Sequence, residues 1–147
     1  MMARRTVLMA AALLVGGVTA CSDLTGTNTR ADGVYYLQSV NNVTIPFTYT
    51  DNTTGHSLTV TNDVYAVNSD GTYSDQQLYR DNTTNSSKSY TESGTWSQSS
   101  SAVTFYPTQS STGNLTVYTA TVGNSNVFGG AKTLSINFSG TTWFYSE

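Results

Sequence analysis

The chain has 147 residues, with 9 acidic and 6 basic side chains, one histidine and a formal net charge of −3. This length suits a single domain with a modest core. The mildly acidic balance and the lack of any basic cluster exclude nucleic acid as an expected partner, because phosphate binding needs clustered Lys and Arg. Polarity comes from Ser, Thr and Asn, and with 10 tyrosines this composition favours strands over helices.

The first 20 residues have the layout of a secretory signal peptide. Arg4 and Arg5 precede an uncharged apolar run over 6–15, and two glycines and further small residues follow it. The run is too short to span a membrane, so we predict a helical signal peptide over 1–20. The alternative is a buried N-terminal core helix, but everything downstream has strand character and offers it no partner helix.

Val18-Thr19-Ala20-Cys21 resembles the lipobox of bacterial lipoproteins, and Cys21 is the only cysteine of the chain. The resemblance implies cleavage after Ala20 and lipid attachment to the Cys21 sulfur. The alternative is a free thiol or an intermolecular disulfide. By the same resemblance, Ser22 favours the outer membrane. We therefore expect a bacterial cell-envelope protein, anchored by lipid in the outer membrane and facing the periplasm or the exterior.

Residues 21–32 are polar and show no apolar periodicity, so we expect a flexible tether there and a folded domain over 33–147. In that domain short strand-like runs alternate with turn signals. Pro46 should place its strand at an edge or a bulge, and Pro107 should end another strand. The predicted strands cover 34–40, 44–49, 57–68, 72–80, 89–98, 103–106, 115–122, 133–138 and 141–145.

The strand pattern predicts an antiparallel up-and-down barrel of about eight strands. Asp70-Gly71 lies between two β-rich runs and is the clearest hairpin signal. Leu134, Ile136 and Phe138 alternate with polar residues, which indicates one buried and one wet face. No run supplies a crossover helix for parallel strands. Charges that could protect open sheet edges are scarce, which favours closure.

Several short motifs resemble the lipocalin-like domains of small bacterial lipoproteins. They are Gly33-Val34-Tyr35, Asp70-Gly71-Thr72-Tyr73, Gly94-Thr95-Trp96, Val103-Thr104-Phe105 and Trp143-Phe144-Tyr145. The first differs from that of lipocalins, which have Trp where this chain has Tyr35. The resemblance covers 33–145 and implies an eight-stranded up-and-down barrel. It implies no ligand and no ligand-binding residue.

Candidate catalytic and metal-binding residues are few. His56 could form a triad with a serine and Asp51 or Asp63, but no nucleophile motif is present, and we expect an exposed loop histidine. Without a second histidine, only carboxylates could bind a metal, and a calcium site is the alternative to turn roles for the loop aspartates. We expect no enzyme activity, no metal and no cofactor.

One carboxylate pair and the aromatic residues remain. Asp75 and Glu92 could be cross-strand neighbours, as a glycosidase would require, but we expect an outward-facing polar pair. The strand aromatics should pack in the core, and the alternative is a barrel mouth lined by tyrosine hydroxyls. We expect a monomeric, non-enzymatic module for a small hydrophobic or amphipathic ligand. The other hypotheses are an envelope-structural or protein-interaction module with a filled barrel and, third, a hydrolase built on His56.

Overall fold

The structure is a computed structural model that describes residues 29–126 and 129–147. The predicted signal peptide, the cleavage point after Ala20 and the lipid-attachment residue Cys21 lie outside the described residues. The described residues form ten β-strands: β1 Gly33–Val40, β2 Val43–Thr44, β3 Phe47–Thr50, β4 Ser57–Val67, β5 Thr72–Asp81, β6 Ser86–Ser99, β7 Ala102–Ser110, β8 Tyr118–Ser125, β9 Ala131–Phe138 and β10 Thr141–Ser146.

Eight of these strands close into an antiparallel barrel, which confirms the predicted fold class. Strands β4 to β10 pair in sequence order, and β1 closes the sheet by pairing with both β10 and β4. The short strands β2 and β3 extend the sheet beside β1 and β4 near one end. In the described part of the chain, no helix is long and apolar enough to cross a membrane.

Aromatic and aliphatic side chains fill one half of the barrel, because alternate residues of each strand point inward. In β9 Leu134 and Ile136 are fully buried as predicted, whereas Phe138, which was expected on the same buried face, is 40% exposed. The largest side chains at less than 2% relative exposure are Tyr35, Tyr73, Tyr145 and Phe105. The rings of Tyr73 and Phe105 lie 4.7 Å apart, centroid to centroid. The expectation that strand aromatics pack in the core is therefore confirmed for these four residues.

Pro107 does not end its strand, and that prediction is wrong. Strand β7 continues to Ser110, and Pro107 lies opposite Gly94 beside an irregularity in the β6–β7 register. The β7–β8 pairing has already ended at Phe105 and Tyr118. A missing backbone N–H is therefore tolerated, since no strand lies on the other side of Pro107. Because β7 and β8 do not pair beyond Phe105 and Tyr118, β8 begins at Tyr118, and residues 111–117 form a loop.

The chain preceding β1 covers one end of the barrel. The Ala31 backbone N–H donates to the side-chain oxygen of Gln98 at 2.9 Å, and the Gln98 amide donates to the Thr29 carbonyl at 2.8 Å. The Tyr35 hydroxyl donates to the Ala31 carbonyl at 2.8 Å, and Ala31 is fully buried. Residues 29–32 thus close the end that carries the β4–β5, β6–β7 and β8–β9 turns, which we call the closed end.

Candidate ligand cavity

The other half of the barrel interior contains a partly open cavity of about 420 Å³. It lies toward the opposite end, the open end, which carries the β5–β6 turn, the β9–β10 turn and the loop 111–117. Asn114 and Thr116 of that loop line the cavity. The remaining lining is mainly aromatic and includes Tyr49, Tyr65, Tyr90, Tyr118, Phe138, Trp143 and Tyr145.

Three carboxyl groups line the same cavity. Asp63 on β4, Asp75 on β5 and Glu92 on β6 are only 2%, 5% and 7% exposed. The register places Asp75 directly opposite Tyr65 on β4 and Glu92 on β6. Asp75 and Glu92 are therefore cross-strand neighbours, as anticipated, but the expectation that they face outward is wrong. Asp75 lies two residues after buried Tyr73 along β5, and residues two apart in a strand face the same side, so both side chains point inward.

Tyrosine hydroxyls surround the Glu92 carboxylate. Tyr73 and Tyr118 donate to its Oε1 at 2.6 and 2.7 Å, and Tyr90 donates to its Oε2 at 2.6 Å. The Tyr118 hydroxyl also lies 3.0 Å from the hydroxyl of Tyr65. Burial, together with the hydrogen bond to Glu92, raises the pKa of Tyr73 and Tyr90, so both hydroxyls keep their protons and remain donors.

Asp63 and Asp75 are less fully paired. The Tyr145 hydroxyl and the Gln77 amide donate to Asp63 Oδ2 at 2.9 and 3.0 Å. Asp63 Oδ1 and Asp75 Oδ1 are buried and receive no hydrogen bond from a donor group of the described residues, and the two carboxyls can hydrogen-bond to each other only through a proton held by one of them. Buried polar atoms are almost always hydrogen-bonded. Two unpaired acceptors at the same cavity therefore mark a place where a donor, either a proton or a ligand group, would be stabilised.

The same environment makes ionisation of the pair unfavourable. Burial raises the pKa of Asp75 to about 10, and the neighbouring Asp63 carboxyl adds to the shift. Burial also raises the pKa of Asp63, although its hydrogen bonds act in the opposite direction. Near neutral pH the ligand-free pair therefore holds one proton, because two adjacent buried carboxyls cannot both ionise without a large cost in free energy.

His56 belongs to a second, separate cluster at the open end. Its Nδ1 lies 2.8 Å from Asp81 Oδ2, and the Lys88 ammonium lies 3.2 Å from the same oxygen. Burial opposes ionisation of Asp81, but hydrogen bonds from His56, Thr84 and Lys88 outweigh it and hold the pKa of the carboxyl well below its usual range.

This cluster differs from the triad considered from the sequence. The partner of His56 is Asp81 rather than Asp51 or Asp63, and the His56 side chain is one-third exposed instead of free in solvent. Among the described residues, no serine hydroxyl hydrogen-bonds to the other ring nitrogen. Asp51 lies in the β3–β4 turn, where its Oδ1 accepts a hydrogen bond from the backbone of Thr53.

No metal centre is assembled in residues 29–126 and 129–147, where no group of three or more His, Cys, Asp or Glu side chains could hold an ion. Asp70 has its predicted role, since it accepts the Thr72 backbone N–H at 2.9 Å in the β4–β5 hairpin. Tyr90 is a cavity residue that the sequence analysis did not single out. Its position two residues before Glu92 on β6 was the available signal, because residues two apart in a strand face the same side.

Comparison with protein-family models, curated proteins and solved structures finds no match for this chain. The cavity must therefore be interpreted from its own chemistry. That chemistry combines aromatic walls, a carboxylate held by three hydroxyls, and two unpaired carboxyl oxygens.

Proposed function

We propose that this chain is a lipid-anchored protein of the bacterial cell envelope whose barrel binds one small amphipathic molecule. The observation that carries the proposal is the cavity of about 420 Å³ in the open half of the barrel. Ligand pockets are typically concave, mostly apolar and about 300–1,000 Å³ in volume, with a few placed polar groups. A filled barrel, the alternative structural role, would place side chains where this space lies.

The wall and rim of the cavity suit an amphipathic ligand. Aromatic rings offer an apolar surface, while the carboxyl groups lie deeper on β4, β5 and β6. Around the open end, Leu115, Val117 and Phe138 are 49%, 52% and 40% exposed. An apolar rim above a polar interior would accommodate a molecule that enters with its polar group first.

A non-enzymatic role is supported by the geometry around the two acidic clusters. Among the described residues, His56 has Asp81 as its partner and no serine hydroxyl bonded to it, and the Glu92 carboxylate is held by tyrosine hydroxyls. A triad hydrolase needs a nucleophile within hydrogen-bond reach of the histidine. We therefore propose binding without chemical conversion of the ligand.

Binding can be tested with an uncharged fluorescent probe, N-phenyl-1-naphthylamine, whose nitrogen is not basic. The purified protein should enhance its fluorescence saturably, with one probe per chain. Thr116→Trp places a large ring at an exposed position that lines the cavity and should reduce binding. Thr119→Trp makes the same change on the outer face of β8 and should not. Equal binding by both variants, or none by the wild type, would contradict the proposal.

The anchor is proposed from the lipobox resemblance at Cys21. Two or three acyl chains are needed for stable anchoring, because one alone binds membranes only marginally. Cys21→Ala should abolish lipidation and leave the protein as an uncleaved precursor or in the soluble fraction. Fractionation with metabolic labelling by palmitate tests this. Normal cleavage and unchanged membrane association of the variant would overturn the anchor.

A further inference from the structure

We propose that the cavity selects an organic cation, a protonated amine carried on an apolar body, whose ammonium group binds at the Asp63–Asp75 pair. This inference rests on the proposed ligand-binding function and names the chemical class of the ligand. It follows from the charge of the lining, the two unpaired oxygens and the aromatic walls.

The charged groups that line the cavity are all acidic. Three carboxyl groups line it, and no Lys, Arg or His is among its lining residues. The nearest basic residue along β6, Lys88, is engaged with Asp81. Buried carboxyls in proteins are ordinarily paired with a cation, a metal or hydrogen-bond donors. Glu92 has its donors, whereas one oxygen each of Asp63 and Asp75 receives no donor from the protein other than a proton held between the two carboxyls.

The two unpaired oxygens specify what the ligand must offer. Asp63 Oδ1 and Asp75 Oδ1 are acceptors in a site only 2% and 5% exposed. An ammonium carries several N–H donors and a positive charge, so one group can satisfy both oxygens. Hydrogen bonds between charged partners are about twice as strong as neutral ones. An anionic ligand would be repelled, and a hydroxyl has a single proton to donate.

The aromatic walls suit the rest of such a molecule. Tyr65 packs edge-on against Tyr145 at 5.2 Å between centroids, and both rings line the cavity beside the acid pair. Ring faces attract cations through their quadrupole and also cover apolar groups. Trp143 and Phe138 extend this surface toward the open end. The site therefore offers charge at depth and apolar contact above it.

The test compares three molecules with the same phenyl body: 2-phenylethylamine, 2-phenylethanol and phenylacetate. Isothermal titration at pH 7.5 with the purified protein measures each affinity. We expect the amine to bind at least about tenfold more tightly than the alcohol, and the acid to bind most weakly. Asp75→Asn keeps the shape of the side chain and should reduce the amine preference about tenfold. Asp70→Asn removes the same charge from an exposed turn and should leave the preference unchanged.

The outcomes separate this inference from the proposed function. If the uncharged naphthylamine probe binds but the alcohol equals the amine in the wild type, the cation inference is overturned and the binding function stands. If neither the probe nor any phenyl compound binds, the binding function and the cation inference are both overturned. Because the wild-type comparison needs no variant, a folding defect in Asp75→Asn would not rescue the inference. An amine preference that survives Asp75→Asn and Asp63→Asn would also overturn it.

Discussion

Asp75→Asn should make the ligand-free protein more stable at neutral pH. The folded protein holds a proton on Asp75, whose pKa is raised to about 10 by burial and by Asp63, whereas the unfolded chain ionises near the ordinary value of 3.8. Folding at pH 7 must therefore take up a proton. Asparagine needs no proton, and its amide N–H can donate to the unpaired Oδ1 of Asp63.

The magnitude follows from proton linkage. Because the pKa is higher in the folded state, the contribution of Asp75 to stability is complete below pH 4 and is lost as pH rises toward 10. Between these limits the free energy of unfolding falls by about 1.4 kcal/mol per pH unit. From pH 5 to pH 7 this amounts to about 3 kcal/mol. Asp63, whose pKa is also raised, acts in the same direction.

Urea unfolding followed by the fluorescence of Trp96 and Trp143 measures the effect at several values between pH 5 and pH 8. Wild type should lose stability across this range, and Asp75→Asn should have a much flatter profile. The pKa of Asp70 is lowered by hydrogen bonds from Thr72, so Asp70→Asn should keep the wild-type slope. A wild-type profile that is flat or rises from pH 5 to pH 8 would refute the buried, protonated acid.

Three further predictions concern the cavity and its wall. The affinity for 2-phenylethylamine should rise between pH 6 and pH 9, because bound ammonium displaces the proton of Asp75, and titrations in buffers of different ionisation heat should show proton release on binding. Gly94→Ala should lower the unfolding free energy by about 1–3 kcal/mol in urea, since a methyl group would collide with the Tyr106 carbonyl oxygen and lie 2.9 Å from Pro107 Cα. Gly123→Ala, with only an ordinary contact, should be tolerated. Tyr90→Phe removes the hydroxyl donor to Glu92 Oε2 and should cost about 1.5–3 kcal/mol by the same assay.

Much of the barrel could be predicted because local signals agree with the global pattern. The Asp70-Gly71 turn fixes the β4–β5 hairpin, and the alternation of Leu134 with Ile136 gives β9 an inner face. Scarce edge-protecting charges favoured closure, which the β1–β10 and β1–β4 pairings provide. Pro107 was misjudged because its tolerance depends on where β8 stops pairing, which is a tertiary fact absent from the local sequence.

The cavity was harder to predict because polar side chains inside a barrel contradict the usual sidedness of strands. Asp75 lies two residues from Tyr73, and Glu92 lies two residues from Tyr90. The regular alternation of inward and outward side chains along each strand therefore already placed both acids on the inner face. A one-residue change in register would have placed the acids outside. Tyr118 and Tyr145, on distant strands, contribute donors that help to make burial of Glu92 and Asp63 tolerable, and those contacts require the closed barrel.

The position of segment 29–32 relates the mouth of the barrel to the proposed anchor. Because this segment lies across the closed end, Thr29, the first described residue, is on the side opposite the mouth. Seven residues lie between Cys21 and Thr29, and their eight residue-to-residue steps allow Cys21 to lie at most about 28 Å from Thr29. If Cys21 carries the proposed lipid, the attachment joins the barrel on the side opposite its mouth, which favours exchange of the proposed ligand with the aqueous compartment rather than with the bilayer.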